Sequence, residues 1–197
     1  MANNEYHMES LWRVRATAEE VFDIIMKAED LPRWWPSAFV SALPIQSGDD
    51  TGAAKVTRLV TRGFLPYRLV WHVVAEEVVR PTRLVNRVWG DFEGAGTWTL
   101  TQDGEWTTIH YDWRISVHMP LVQVLSPVMK PLFVANHRWA MAKGEESLRL
   151  ELDRVHAGNA AQRAAVPEPP GGIERSTWAA GLGASVVLWW LFLRKRG

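Results

Sequence analysis

The chain has 197 residues, and its 22 Lys+Arg balance 22 Asp+Glu to a formal net charge of zero. That balance excludes a protein whose main work is gripping nucleic acid, and the absence of cysteine removes disulfides, thiolate nucleophiles and cysteine-ligated metal centres. A hydrophobic content of 47% suits a globular domain, while 12 Trp against 3 Tyr and 6 Phe call for a very aromatic core or an indole-lined cavity.

The first residues, Met1 to His7, are polar and lack the apolar stretch of a secretory signal. Tyr6 to Ala16 alternates, with Met8, Ser10, Trp12 and Val14 on one face and Glu9, Arg13 and Arg15 on the other, the pattern of a half-buried strand. Thr17-Ala18-Glu19-Glu20 is a capping-box string, and Val21, Phe22, Ile24 and Ile25 follow at helical spacing. Pro32 and Pro36 end this region, with Trp34 and Trp35 between them. Six further strands are predicted over roughly 38–47, 53–62, 67–79, 82–92, 95–102 and 106–118. Turn chemistry separates them, and the Asp103-Gly104 pair is the strongest hairpin signal. Pro131 opens a long helix to about Val155, with Phe133, His137, Ala140, Met141, Gly144, Leu148 and Leu152 on one stripe.

Beyond that helix, His156 to Arg175 reads as a Pro/Gly/Ala-rich, semi-extended linker. Ser176 to Leu193 then gives 18 residues without charge, roughly 27 Å as a helix at about 1.5 Å per residue. Trp178, Trp189 and Trp190 suit an aromatic belt, and Arg194, Lys195 and Arg196 suit lipid headgroups. The expected organisation is a folded domain over 1–155, a linker over 156–175 and a single membrane anchor over 176–197. A buried or interfacial helix is the competing reading of the tail. The folded domain is expected on the cytoplasmic side; if the tail then crosses, its basic end lies outside, against the usual bias, so the sequence leaves the topology open.

Strand, helix, six strands and a long closing helix imply an α+β domain, a curved antiparallel seven-stranded sheet wrapped around its last helix. This order resembles the helix-grip fold of the START/Bet v 1-like (SRPBCC) superfamily. Leu31-Pro32-Arg33-Trp34-Trp35-Pro36, Leu65-Pro66-Tyr67-Arg68-Leu69, Gly90 to Trp98, Tyr111-Asp112-Trp113-Arg114 and Asn136-His137-Arg138-Trp139-Ala140-Met141 resemble its polyketide cyclase/dehydrase-like bacterial branch. The resemblance spans about residues 5–153. It implies a hydrophobic ligand or lipid held between sheet and helix, or alternatively a cyclase or dehydratase acting on a polyketide-like substrate, and it implies no cofactor. Fold alone does not choose between them.

Alternation turns Ile109, Tyr111, Trp113, Ile115 and Val117 toward the helix, together with Leu69, Trp71 and Val73 and with Trp98 and Leu100. His110, Asp112, Arg114, His118 and His72 fall on the other face, where cross-strand ion pairs are routine. In strand 82–92 the set Val85, Arg87, Trp89 competes with Leu84, Asn86, Val88, and the pattern does not choose. Trp71, Trp98, Tyr111 and Trp113, with Trp89 as a further candidate, are the expected wall of a cavity facing His137 and Met141; a simply packed core is the alternative. His137 reads as a polar contact to a ligand or, with Tyr111, as an acid/base group; the plainer reading is a core histidine satisfied by Asn136 or a carbonyl. Trp34 and Trp35 read as the lip of a cavity mouth, a membrane-facing patch or a packing plug. No metal site is expected, because the six His show no ligand spacing and no carboxylate cluster beside them.

Overall fold

A computed structural model describes residues 5–65, 67–117 and 126–172. The expected membrane anchor over 176–197 lies outside the described residues. Among the described residues, no helix is long and apolar enough to cross a membrane.

Strand β1 (Glu5–Val14) leads into helix α1 (Ala18–Ile25), and a 3-10 turn (Ala28–Asp30) runs into helix α2 (Leu31–Trp34). Strands β2 (Phe39–Gln46), β3 (Val56–Arg62), β4 (Arg68–Val79), β5 (Arg83–Gly90), β6 (Phe92–Asp103) and β7 (Trp106–Val117) follow. Helices α3 (Ser126–His156) and α4 (Ala160–Ala165) complete the described chain. The strands form one antiparallel sheet in the order β1-β7-β6-β5-β4-β3-β2, so only β1 leaves its chain neighbour to pair across the molecule.

The capping box at the start of α1 is made. Thr17 Oγ1 accepts from the Glu20 amide at 3.2 Å and the Glu20 carboxylate accepts from the Thr17 amide at 2.8 Å, which satisfies two orphan donors of the first turn. Val21, Phe22, Ile24 and Ile25 then drive α1 against the sheet, all of them buried. Pro32 does not terminate the region as expected; it occupies the first turn of α2, where its missing N–H removes no helical bond.

Helix α3 begins five residues before Pro131, which lies inside it instead of opening it. Its stripe faces the sheet: Phe133, Met141, Leu148 and Leu152 are buried in the same cluster as Tyr6, Trp12, Trp35 and Trp98. Gly144 lets α3 approach Trp35, since a Cβ there would overlap the indole ring. Glu151, also buried, receives both Arg33 guanidinium nitrogens at 2.8 Å, and this fork ties α2 to α3.

Within the stretch expected as a semi-extended linker, Ala160–Ala165 is helical. Asn159 caps α4 by accepting from the Gln162 amide at 2.9 Å, and the Ala-rich string Ala160-Ala161-Gln162-Arg163-Ala164-Ala165 propagates the turn. Residues 166–172 then run back along the domain, where Arg154 donates to the Pro167 carbonyl and Gly172 packs on the Arg62 guanidinium.

Candidate functional site

The concave face of the sheet and α3 do not close on each other completely. A cavity of about 140 Å³ lies between them, lined by Leu69, Phe92, Ile115 and Tyr67 from the sheet side and by Phe133, Asn136, His137, Ala140 and Met141 from α3. A second compartment of about 80 Å³ lies beside α1 and α2, where Thr57, Lys55 and Asn86 are its polar lining among Ile25, Trp34, Leu59 and Leu84. Trp35, Phe39, Trp71, Trp98, Tyr111 and Trp113 line both compartments and form the septum between them.

The septum is built by strand register. Trp98 on β6 is the direct partner of Tyr111 on β7, which brings the rings into a stack at 3.9 Å and 24°. Trp113 continues that stack at 5.5 Å from Tyr111, and Trp71 meets Trp113 edge-on at 6.0 Å. Gly96, opposite Trp113, leaves the room these rings occupy: a Cβ there would lie 2.5 Å from Tyr111 Oη and 2.7 Å from the Trp113 ring. The Trp71 indole N–H is satisfied by Thr61 Oγ1 at 3.0 Å.

Several polar atoms on the lining are not satisfied. His137 Nε2, Tyr67 Oη and Trp35 Nε1 are buried without a hydrogen-bond partner. All three residues line the 140 Å³ cavity. Burial pushes the His137 pKa down to about 4, so the imidazole is neutral at pH 7. Burial likewise pushes the Tyr67 phenol up to about 12 and raises that of Tyr111 well above its ordinary value. At neutral pH the cavity therefore offers hydrogen-bonding groups and no charge from these three residues. Asn136 does not satisfy its neighbour His137; its Oδ1 instead accepts from the Phe64 amide at 2.8 Å and the Leu65 amide at 3.3 Å. That contact pins the β3–β4 connection over the cavity.

Of the residues singled out in the sequence, Trp71, Trp98, Tyr111, Trp113, His137 and Met141 are brought together on this one cavity. Trp34 and Trp35, only 1% and 4% exposed, are neither a lip nor a surface patch. Trp35 stands between the compartments, and Trp34 lines the one beside α1 and α2. Trp89 is excluded: Leu84, Asn86 and Val88 face inward, and Trp89 stacks on His72 at 5.3 Å and 14° on the outer face. Tyr67, Asn86 and Asn136 also line these compartments and are not among the site residues singled out from the sequence, where charged or polar neighbours (Arg68, Arg87, and His137 with Arg138) hide them.

On the outer face, Asp112 and Arg114 pair as alternation predicts. Asp112 accepts both Arg114 nitrogens, at 2.9 and 2.8 Å, and that pairing holds its carboxyl below the ordinary range. The expectation that no carboxylates accompany the histidines is corrected by strand pairing. Glu9 and Asp112 are cross-strand partners, and His7 Nε2 lies 3.3 Å from Asp112 Oδ1 and 3.7 Å from Glu9 Oε1. These three donors form a loose, mostly exposed group that Arg114 also occupies.

An antiparallel sheet gripping one long helix over an aromatic cavity defines a START/Bet v 1-like protein. The family described as polyketide cyclase/dehydrase and lipid transport matches residues 7–153, and the chain belongs to that family. No curated protein matches the chain. Among solved structures it is similar to the Zhui aromatase/cyclase of Streptomyces sp. R1128, with a TM-score of 0.64 and 13% identity over 78% of this chain and 97% of that one. It is also similar to TTHA0849 of Thermus thermophilus, with a TM-score of 0.57 and 20% identity over 73% and 97% of the two chains. A START superfamily protein of Mycobacterium smegmatis gives a TM-score of 0.51 and 17% identity over 69% and 98%. At such identities the likeness is one of fold.

Proposed function

We propose that the protein binds one compact, largely apolar molecule, a ring system or a lipid fragment, between its sheet and α3, and that residues 176–193 anchor it to a membrane with the domain on the cytoplasmic side. The observation that carries the binding reading is the 140 Å³ aromatic cavity with three buried, unpartnered polar groups on His137, Tyr67 and Trp35. Leaving such a group unpaired costs about 1–3 kcal/mol, and a ligand with a carbonyl or hydroxyl would relieve that cost while its rings fill the void. The volume matches that of an apolar protein cavity which holds benzene, about 150 Å³. A longer ligand needs the septum rings to turn and join the two compartments. The anchor places a pocket for water-insoluble molecules beside their source.

A second reading, a cyclase or dehydratase using His137 and Tyr111, is favoured by their presence on one cavity. Their protonation states limit it: a neutral imidazole with a pKa near 4 is a weak base, and a phenol held protonated by burial is a hydrogen-bond donor. Polarising a carbonyl is within reach of both groups, which suits binding as well as catalysis.

Titration with a hydrophobic naphthalene fluorophore tests the proposal, since the septum indoles would transfer excitation to it. One saturable site, abolished by Ala140→Trp, is expected. Binding that Ala140→Trp leaves unchanged would place the ligand elsewhere. Loss of turnover with retained binding in His137→Ala would favour the enzyme.

A further inference from the structure

The described chain does not end where its last long helix ends. His156 and Asn136 are 20 residues apart on α3, roughly 30 Å. After α4 the string Val166-Pro167-Glu168-Pro169-Pro170-Gly171-Gly172 turns back. As a proline-stiffened strand it spans roughly 22 Å at about 3.1 Å per residue. Arg154 holds it at the Pro167 carbonyl, and at its far end Gly172 packs on Arg62. Arg62 lines the His137 cavity beside Gly63 and Tyr67. The strap thus delivers the chain to the cavity rim. Ser176, the first residue of the uncharged run, follows Gly172 by four positions, at most about 14 Å of chain.

The β3–β4 and α3 sides of this rim carry cations only, whereas on the sheet side Glu5 and Glu93 share a groove with Lys130. Residues 62–68 and 126–142 contain Arg62, Arg68, Lys130 and Arg138 and no Asp or Glu, in a chain whose net charge is zero. Arg68, Lys130 and Arg138 are exposed. Leu132, 39% exposed, and the half-buried Phe64 and Leu65 lie among them. Exposed cations around apolar side chains suit an anionic lipid surface.

We propose that the strap 166–172 holds the rim of the His137 cavity against an anionic bilayer, so that ligand passes between membrane and cavity without crossing water. This rests on the reading of 176–193 as a membrane anchor. The absence of cysteine makes the test direct. Full-length chains carrying Leu132→Cys at the rim, or Glu105→Cys in the β6–β7 turn, are labelled with an environment-sensitive dye and bound to phosphatidylserine-containing vesicles. Glu105 lies at the opposite end of β6 and β7 from Phe92 and Ile115, which line the cavity. Quenching by spin-labelled lipid is expected to be severalfold stronger at position 132 than at 105. Replacing Pro167, Pro169 and Pro170 with glycine should reduce that difference. Equal quenching at both positions on vesicle-bound protein would overturn the orientation and leave the anchor standing. Failure of the full chain to float with vesicles would overturn the anchor and the orientation together.

Discussion

Asn136 on α3 accepts the backbone N–H of Phe64 at 2.8 Å, and through it the β3–β4 connection is fastened to the helix across the cavity rim. The neighbouring Gly63 permits this, because a Cβ there would overlap the Asn136 amide. Asn136→Ala strands two partly buried amides, at Phe64 and Leu65. It is expected to cost about 1–3 kcal/mol of stability and to speed both uptake and release of ligand. Hydrogen exchange at residues 64 and 65 checks this directly; unchanged protection there would show that the contact does not hold the rim.

Two glycines are expected to be intolerant of a methyl group. Gly144→Ala drives a carbon into the Trp35 ring, and Gly96→Ala drives one between Tyr111 Oη and Trp113. Overpacking against indoles that are themselves wedged costs about 1–3 kcal/mol. Gly96→Ala should in addition weaken fluorophore binding, because it displaces the septum. Urea denaturation and the binding titration measured together separate the two effects.

His137 makes stability depend on pH with a definite sign. The folded protein holds the ring neutral down to about pH 4, whereas the unfolded chain protonates it near 6.5. Between these values the unfolded state binds more protons, so this contribution is complete above about pH 6.5 and is lost as the pH falls toward 4. The loss amounts to roughly 3 kcal/mol over the window. Denaturation at pH 7 and pH 5 should show it, and His137→Gln should flatten it. Equal slopes in the two proteins would assign the acid lability elsewhere.

The Arg33–Glu151 fork places a buried carboxylate under α2. Arg33→Ala leaves that charge without its main partner, Arg154 standing 3.8 Å away. About 1–3 kcal/mol of destabilisation is expected, the half-exposed arginine keeping it below the cost for a fully buried pair. A double-mutant cycle with Glu151→Gln reads the coupling without the packing term. Additive effects would mean that the fork contributes only shape.

The strands were legible because a half-buried sheet writes its two faces into the sequence at period two, as Ile109, Tyr111, Trp113, Ile115 and Val117 do on β7. Trp89 was not, because β5 carries apolar residues at both parities. The deciding residue is Arg87, whose charge goes outward to Glu76 and takes Trp89 with it. The helix start predicted at Pro131 lies five residues too late; Ser126 followed by Pro127 is the earlier start signal, and Pro131 falls inside the helix. The short α4 lies in a stretch whose prolines and glycines read as linker, although Asn159 caps it and alanines fill it. What sequence spacing does not carry is contact at a distance: Arg33 with Glu151 and Asn136 with Phe64 meet only once the sheet has curled around α3, and His7 with Asp112 only once β1 pairs with β7.

The central claim is that the hollow between sheet and α3 is a ligand site and not a packing defect. Native mass spectrometry of the full chain, released from host membranes in mild detergent, tests it most directly. One small apolar molecule retained per chain, and lost from Ala140→Trp, is the expected result. A bare chain mass, with no uptake from a panel of small aromatic and isoprenoid compounds, would contradict it.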